Sequence, residues 1–262
     1  MRIGIIGFGY VGSAVAWAHQ KAKVIIRDPK LSDSAELDQF TTCDAIYVCV
    51  PSPSTSDGHC DTTILEETLK ELFFALANKP IPVICKTTAP PRVYAELQAQ
   101  YPSIVHVPEF LTARDSSQDY LNTSYVVLGG EYDWACKART AIQSVNNLTN
   151  DKFAIVPIQT AALYKYMMNS YLATKVTFMN DFKALADAEG VEFKDLAYLA
   201  NFDQRIGTTH MDVPGHDGQF GWGGACFPKD ISAILMEAID KNVDFELLDR
   251  VESINKRHRR KE

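Results

Sequence analysis

Arg2-Ile3-Gly4-Ile5-Ile6-Gly7-Phe8-Gly9-Tyr10-Val11-Gly12 opens the chain with a short apolar strand that runs directly into a G-x-G-x-x-G. The small apolar run Ser13-Ala14-Val15-Ala16-Trp17-Ala18 follows, so strand, glycine turn and helix come in immediate succession. That context is what makes the motif informative. Gly7 is expected to make the tight turn, Gly9 to let the main chain approach a pyrophosphate, and Gly12 to let the helix pack on the strand. Phe8, Tyr10 and Val11 complete the loop, and the helix N-terminus offers unpaired N–H groups to an anion.

A second strand, Lys23-Val24-Ile25-Ile26-Arg27, ends at Asp28. A carboxylate at that point accepts hydrogen bonds from a ribose diol and repels a 2′-phosphate, which predicts NAD over NADP. Arg27 and Lys30 stand beside it and blur the preference. The plainer alternative is a glycine turn with no cofactor. Five more strands are expected: Ala45–Val50, Pro82–Lys86, Ser103–Val107, Tyr125–Leu128 and Phe153–Val156. Helical stretches from Thr62 or Thr63 to Ala77 and from Tyr132 to Val145 alternate with them. This alternation predicts an α/β fold with an N-terminal Rossmann-like, doubly wound parallel sheet over residues 1–157.

The strand ends carry polar groups at the edge where ligands of open sheets bind. They are Val50-Pro51-Ser52-Pro53, Thr87-Thr88-Ala89-Pro90 and Pro108-Glu109-Phe110-Leu111. The two threonines suit either a site or the capping of a following helix. Glu109 has apolar neighbours, a setting that favours general-base use.

From Gln159 to Glu189 there is neither proline nor glycine, and Gly190 closes the run. A single long helix is expected, with enough apolar surface for its own domain and a second subunit. Residues 158–262 therefore read as this central helix followed by a small all-helical domain, and the helix predicts a homodimer. Lys165 and Asn169 share one face of it, as a solvated pair or as ligand contacts. Shorter helices are expected at 193–201, 230–239 and 245–256. Between them lies Gly221-Trp222-Gly223-Gly224-Ala225-Cys226-Phe227-Pro228-Lys229-Asp230. Cys226 is either an ordinary small residue in a glycine turn or a nucleophile beside a cation.

Composition narrows the class. With 46% hydrophobic and 23% charged residues the chain is an ordinary globular protein, and its net charge of −7 argues against nucleic-acid binding. The basic run Lys256-Arg257-His258-Arg259-Arg260-Lys261 reads as a solvated C-terminus. Six cysteines without a CxxC pair suggest neither a metal site nor a disulfide framework. No signal peptide or membrane span is expected, which points to the cytoplasm.

With these motifs assembled, the sequence resembles the UDP-glucose 6-dehydrogenase branch of the UDP-glucose/GDP-mannose dehydrogenase family. The markers are the glycine turn, Val50–Pro53, Thr87–Pro90, Pro108–Leu111, Lys165-Tyr166 with Asn169, Asp203-Gln204-Arg205-Ile206-Gly207, and Gly223–Asp230. The resemblance implies oxidation of a nucleotide sugar, UDP-glucose first, from a primary alcohol to a carboxylate with two NAD⁺ reduced. It makes Cys226 the nucleophile of a thiohemiacetal and thioester, Lys165 and Asn169 oxyanion donors, Asp230 and Thr88 water-positioning groups, and Glu109 a base. It sets Gly7–Gly12, Asp28, Lys30, Val50, Pro51, Ser52, Thr87, Thr88 and Cys226 against the cofactor. It sets Glu109, Phe110, Leu111, Lys165, Asn169, Phe220, Gly221, Trp222 and Gly223 against the substrate, with Arg205 reaching a neighbouring subunit's sugar nucleotide. Three features depart from the resembled pattern. Ala113 and Ala162 stand where glutamates are usual, and the chain stops at Glu262 without a further nucleotide-binding domain. GDP-mannose or a UDP-N-acetylhexosamine is the alternative substrate, and a non-catalytic NAD-binding partner module the alternative class.

Overall fold

The computed structural model describes residues 1–110, 116–146 and 148–260. It forms two compact units, Met1–Pro53 with Cys60–Lys165, and Ser54–His59 with Tyr166–Glu262. The division falls inside the long helix rather than at its start.

The first unit is built on β1 (Arg2–Ile6), β2 (Lys23–Arg27), β3 (Ala45–Val48), β4 (Val83–Cys85), β5 (Ile104–His106), β6 (Val126–Gly129) and β7 (Phe153–Val156). Their order across one sheet is β2-β1-β3-β4-β5-β6-β7. The helices are α1 (Tyr10–Ala18), α2 (Thr63–Leu76), α3 (Pro91–Gln100), α4 (Ser116–Leu121), α5 (Tyr132–Gln143) and the first turns of α6 (Ile158–Ala188). Leu65, Leu69, Leu72 and Leu76 of α2 bury one stripe against Ile46, Val48 and Val83, with Val93 and Leu97 of α3 in the same cluster. Ala14, Val15, Ala135 and Ala138 of α1 and α5 pack with Ile3, Ile5 and Tyr47 in a second cluster. Strand residues alternate between the two clusters, so helices cover both faces as a doubly wound sheet requires.

One pairing departs from an all-parallel sheet. β5 and β6 meet antiparallel at His106 and Gly129, and β6 then pairs parallel with β7. The helix between them, α4, lies with α1, where Tyr120 joins the cluster of Ala14 and Val15. β6 therefore enters from the edge at which β5 ends, without recrossing the sheet. The start of α2 is held by an aspartate and not by either threonine side chain. Thr62 caps no main-chain group through its side chain, and Asp61 accepts the Thr63 N–H at 3.0 Å instead.

The second unit holds the rest of α6 with α7 (Phe193–Ala200), α8 (Phe227–Asp240) and α9 (Glu246–His258). Gly190 at φ +66° ends α6, and Val191 N–H reaches back to Ala186 O at 2.8 Å, a Schellman closure. Met179, Ala186, Phe193 and Met211 form an apolar cluster. Two expectations are corrected here. α8 starts at Phe227, with Pro228 in its first turn, not at Asp230. The basic run is no loose tail: Lys256, Arg257 and His258 form the last turn of α9, and His258 is buried.

Candidate functional site

In the first unit the glycine turn is fixed by main-chain geometry. Gly7 sits at φ +90°, and a Cβ there would lie 2.7 Å from Cys49 O. A Cβ on Gly12 would lie 2.0 Å from Gly7 O, so α1 meets the turn more closely than any other residue allows. A Cβ on Gly9 meets nothing within 4 Å, which leaves its main chain open to a ligand. Phe8 N–H donates to Asp28 Oδ2 at 2.6 Å and Lys30 N–H to Oδ1 at 2.9 Å. These donors, Phe8 first, hold the Asp28 carboxyl below the usual carboxylate range, so it stands as an ionised acceptor beside the turn. Tyr10 and Lys30 are exposed, and Val11 is half-buried.

The neighbouring strand ends are tied to one another. Thr87 donates its hydroxyl to Val50 O at 2.7 Å, and Ser52 donates to Thr88 O at 2.6 Å. Both hydroxyls thus hold the edge together, next to the exposed Pro51 and the half-buried Thr88. Beyond them Glu109 does not lie in an apolar setting. Its carboxylate pairs with Lys86 at 2.8 Å, both side chains largely buried. Lys165 donates to the main-chain oxygen of Glu109 and stands 5.0 Å from the Phe110 ring. Lys86, Glu109, Phe110 and Tyr120 line a cavity of about 60 Å³. Lys86 had no role in the sequence reading. Its signal is a lone cation closing an apolar strand at the ligand edge. Ala162 is buried in the α2 side of the core, whereas Leu111 and Ala113 lie outside the described residues.

In the second unit Cys226 is exposed at the N-cap of α8. A helix N-terminus stabilises negative charge, and Pro228 has no N–H to offer there, so the remaining first-turn amides face that end. Four residues on, buried Asp230 accepts Asn169 Nδ2–H at 2.6 Å and pairs with Lys229 at 2.6 Å. The expected amide donor and the expected water-positioning acid are therefore in contact. Asn169 is itself buried rather than solvated, as is Lys165 in the first unit.

Upstream, Gly221 lies at φ +72° and its N–H donates to Asn180 Oδ1 at 2.8 Å. Trp222 is buried, its indole N–H given to Thr177 Oγ1 at 3.0 Å. Phe220 is half-buried, and Gly223 lies against the Arg259 guanidinium. Arg205 is 88% exposed and forks onto Asp203. No group of three or more His, Cys, Asp or Glu positioned to hold a metal occurs among the described residues. No helix among them is long and apolar enough to cross a membrane.

Residues 25–148 match the NAD binding domain of the UDP-glucose/GDP-mannose dehydrogenase family, and residues 159–257 match its central domain. The chain belongs to that family. Its first unit accordingly carries that family's NAD binding domain. A UDP-glucose 6-dehydrogenase of Rickettsia prowazekii (strain Madrid E) is 30% identical over 225 residues, covering 84% of this chain and 50% of that protein. The chain thus spans about half the length of that curated relative. Among solved structures, a UDP-glucose dehydrogenase from Pyrobaculum islandicum superposes with a TM-score of 0.83 at 22% identity, over 98% of this chain and 68% of that one. A UDP-D-ManNAc dehydrogenase from Pyrococcus horikoshii gives 0.80 at 21%, over 98% and 69%. At these identities the two structures bear on the fold alone.

Proposed function

We propose that this member of the family is an NAD-dependent nucleotide-sugar 6-dehydrogenase acting on UDP-glucose, with Cys226 as its nucleophile. The observation that carries the reading is an exposed cysteine at a helix N-terminus whose next turn holds a buried, doubly bonded aspartate. Gly7, Gly9 and Gly12 would hold the pyrophosphate of NAD, Asp28 its ribose, and the edge of Lys30, Val50, Pro51, Ser52, Thr87 and Thr88 the remainder. When bound, NAD⁺ supplies hydride-accepting chemistry. The residues of this chain do the rest. Cys226 Sγ adds to the aldehyde-level carbonyl and later holds the acyl group as a thioester. A cation and an amide donor suit the developing oxyanion, the roles assigned to Lys165 and Asn169. Asp230 and Thr88 would orient the water, and Glu109, held by Lys86, would take its proton. Serine in place of Cys226 is a poorer nucleophile near neutral pH, and the ester formed would release acid more slowly.

The test is stoichiometry with a variant. UDP-glucose should yield two NADH per sugar, and Cys226→Ser should lose steady-state acid production by about 10³-fold or more. Full acid production by that variant would sink the nucleophile assignment. Comparing kcat/KM across UDP-glucose, GDP-mannose and UDP-N-acetylhexosamines checks the substrate. NAD binding without NADH formation from any of them would favour a partner module.

A homodimer belongs to the same proposal. Met167, Tyr171, Phe178, Phe182 and Leu185 form a stripe along α6, each between 44% and 56% exposed. An apolar stripe of this length is typically covered by another subunit. Light scattering should give twice the chain mass, and a monomer at micromolar concentration would contradict it.

A further inference from the structure

The basic run at the end of α9 has no part in the proposed chemistry, yet one of its side chains, His258, is buried in the second unit while Lys256 and Arg257 stay exposed. His258 pairs with Asp181 at 3.0 Å, and Arg259 Nη2 donates to Asp217 Oδ2 at 2.8 Å. One residue before the run, Asn255 is 5% exposed and makes a two-point contact with one main-chain residue. Its Oδ1 accepts Trp222 N–H at 2.7 Å, and its Nδ2–H donates to Trp222 O at 2.9 Å. From α6, Asn180 is 3% exposed. Its Oδ1 accepts Gly221 N–H at 2.8 Å while its Nδ2–H donates to Val176 O at 2.8 Å. Consecutive amides of the glycine-rich loop are therefore each read by a buried asparagine from a different helix.

We propose that Asn180 and Asn255 are positioning residues for the nucleophile loop, acting on Cys226 through the main chain of Gly221 and Trp222. The inference rests on the reading of Cys226 as nucleophile. Between Trp222 and Cys226 stand only Gly223, Gly224 and Ala225, with Gly224 at φ +79°. Such a connection has wide conformational freedom unless both its ends are held. α8 holds one end, since Cys226 is its N-cap. The asparagines hold the other, and the ring of Trp222 meets that of Phe227, the first residue of α8, edge to face at 6.4 Å between centroids.

Only an amide satisfies this contact. It offers an acceptor and a donor on one plane, matching the N–H and C=O of a single residue, whereas an ionised carboxylate can accept but not donate. Gly221 is part of the same fit, because a Cβ there would lie 2.3 Å from Asn255 Oδ1. A nucleophile displaced by about 1 Å loses on the order of 10² in rate, which sets the size of the effect.

The experiment compares wild type, Asn255→Ala, Asn255→Asp and Gly221→Ala by steady-state kinetics, thermal unfolding and the rate of Cys226 alkylation by iodoacetamide, mapped by mass spectrometry. Asn255→Ala should lower kcat by about 10²-fold with KM for NAD unchanged. Alkylation of Cys226 should slow as the thiol loses its fixed orientation at the helix N-terminus. Asn255→Asp should restore only part of either rate. Gly221→Ala and Asn255→Ala should be less than additive in kcat, because both release the same contact. A normal kcat and alkylation rate in Asn255→Ala, with only the melting temperature lowered, would overturn the proposal. If Asn255→Ala does not fold, Asn180→Ala frees the Gly221 N–H alone and should still slow alkylation; an unchanged rate there overturns it too. Should wild type form no NADH from any nucleotide sugar, the proposed function fails, while alkylation still reports whether the asparagines set the loop.

Discussion

The two units hold their chemistry in different ways. In the first, functional groups sit at strand ends, and neighbouring main chain fixes them: Gly7 N–H on Arg27 O, Phe8 N–H on Asp28, Thr87 on Val50 O. In the second, side-chain amides reach across long stretches of sequence: Asn169 to Asp230, Asn180 to Gly221, Asn255 to Trp222. A strand end is placed by the sheet and tolerates variation in its neighbours. A loop between helices has no such frame, so buried polar side chains must supply one. The first arrangement should therefore be robust except where it encloses charge or allows no Cβ.

Lys86→Met attacks the enclosed charge. It removes the Lys86 cation from the largely buried Glu109 carboxylate, which keeps the Phe110 N–H, and breaking a buried pair in this way costs about 3–5 kcal/mol. The first unit should melt markedly earlier in calorimetry. Adding Glu109→Gln should recover part of the loss by removing the buried carboxylate charge that Lys86 balanced. If the single variant melts like wild type, the pair is solvated enough to be dispensable. The next largest effect is Gly12→Ala. Its Cβ would lie 2.0 Å from Gly7 O, a main-chain atom that cannot move aside alone. The cost should fall near the top of the overpacking range, about 3 kcal/mol, with weakened NAD binding by calorimetry. Gly9→Ala, whose Cβ meets no protein atom, should leave stability nearly intact and still weaken NAD binding. Equal melting of both variants would remove the distinction between the two glycines.

The same contrast explains what could be read from the sequence. β1, β2, β7 and the roles of Gly7 and Gly12 were legible because each depends on residues close along the chain. The direction of β6 was not, because it depends on where α4 packs its Tyr120. The true start of α8 was hidden by Pro228, which serves equally well in a turn or at the first turn of a helix. Asn180 and Asn255 left no signal, since a polar contact between distant segments has no period. Lys86 left a weak one, and only its pairing with Glu109 in three dimensions gives it meaning.

Acid should separate the units by sign. His19 and His106 of the first unit are buried, and burial lowers them from 6.5 to about 4 and about 3. His106 donates Nδ1–H to Cys85 O at 3.0 Å and keeps a bare, buried Nε2. With folded values below the unfolded one, the unfolded chain binds more protons as pH falls through 6.5. The first unit therefore loses stability from pH 7 to pH 5, by about 2 kcal/mol for each histidine. His19→Gln should flatten the pH dependence of melting by about that amount, and an unchanged slope would show that His19 does not carry it.

His59 of the second unit should respond in the opposite direction and more weakly. Its Nδ1 faces Asp57 at 3.1 Å and its Nε2 faces Asp240 of α8 at 3.4 Å. Those carboxylates, Asp57 first, raise it above 6.5, while Thr55 and His59 hold Asp57 down at about 2. A raised folded value means the contribution is complete below pH 6.5 and is lost as pH climbs through the folded value. Ser232 donates to Gly58 O at 3.0 Å at any pH, so the ion pairs add to an anchor that already exists. Acidification toward pH 6.5 should thus tighten the Ser54–His59 segment on α8, above the range in which the first unit loosens most. An NMR titration of the His59 ring reads this without reference to activity. The midpoint should lie above 6.5 in wild type and move down in Asp240→Asn. A wild-type midpoint at or below 6.5 would leave the two units with the same acid response, and the contrast between them would then be one of architecture only.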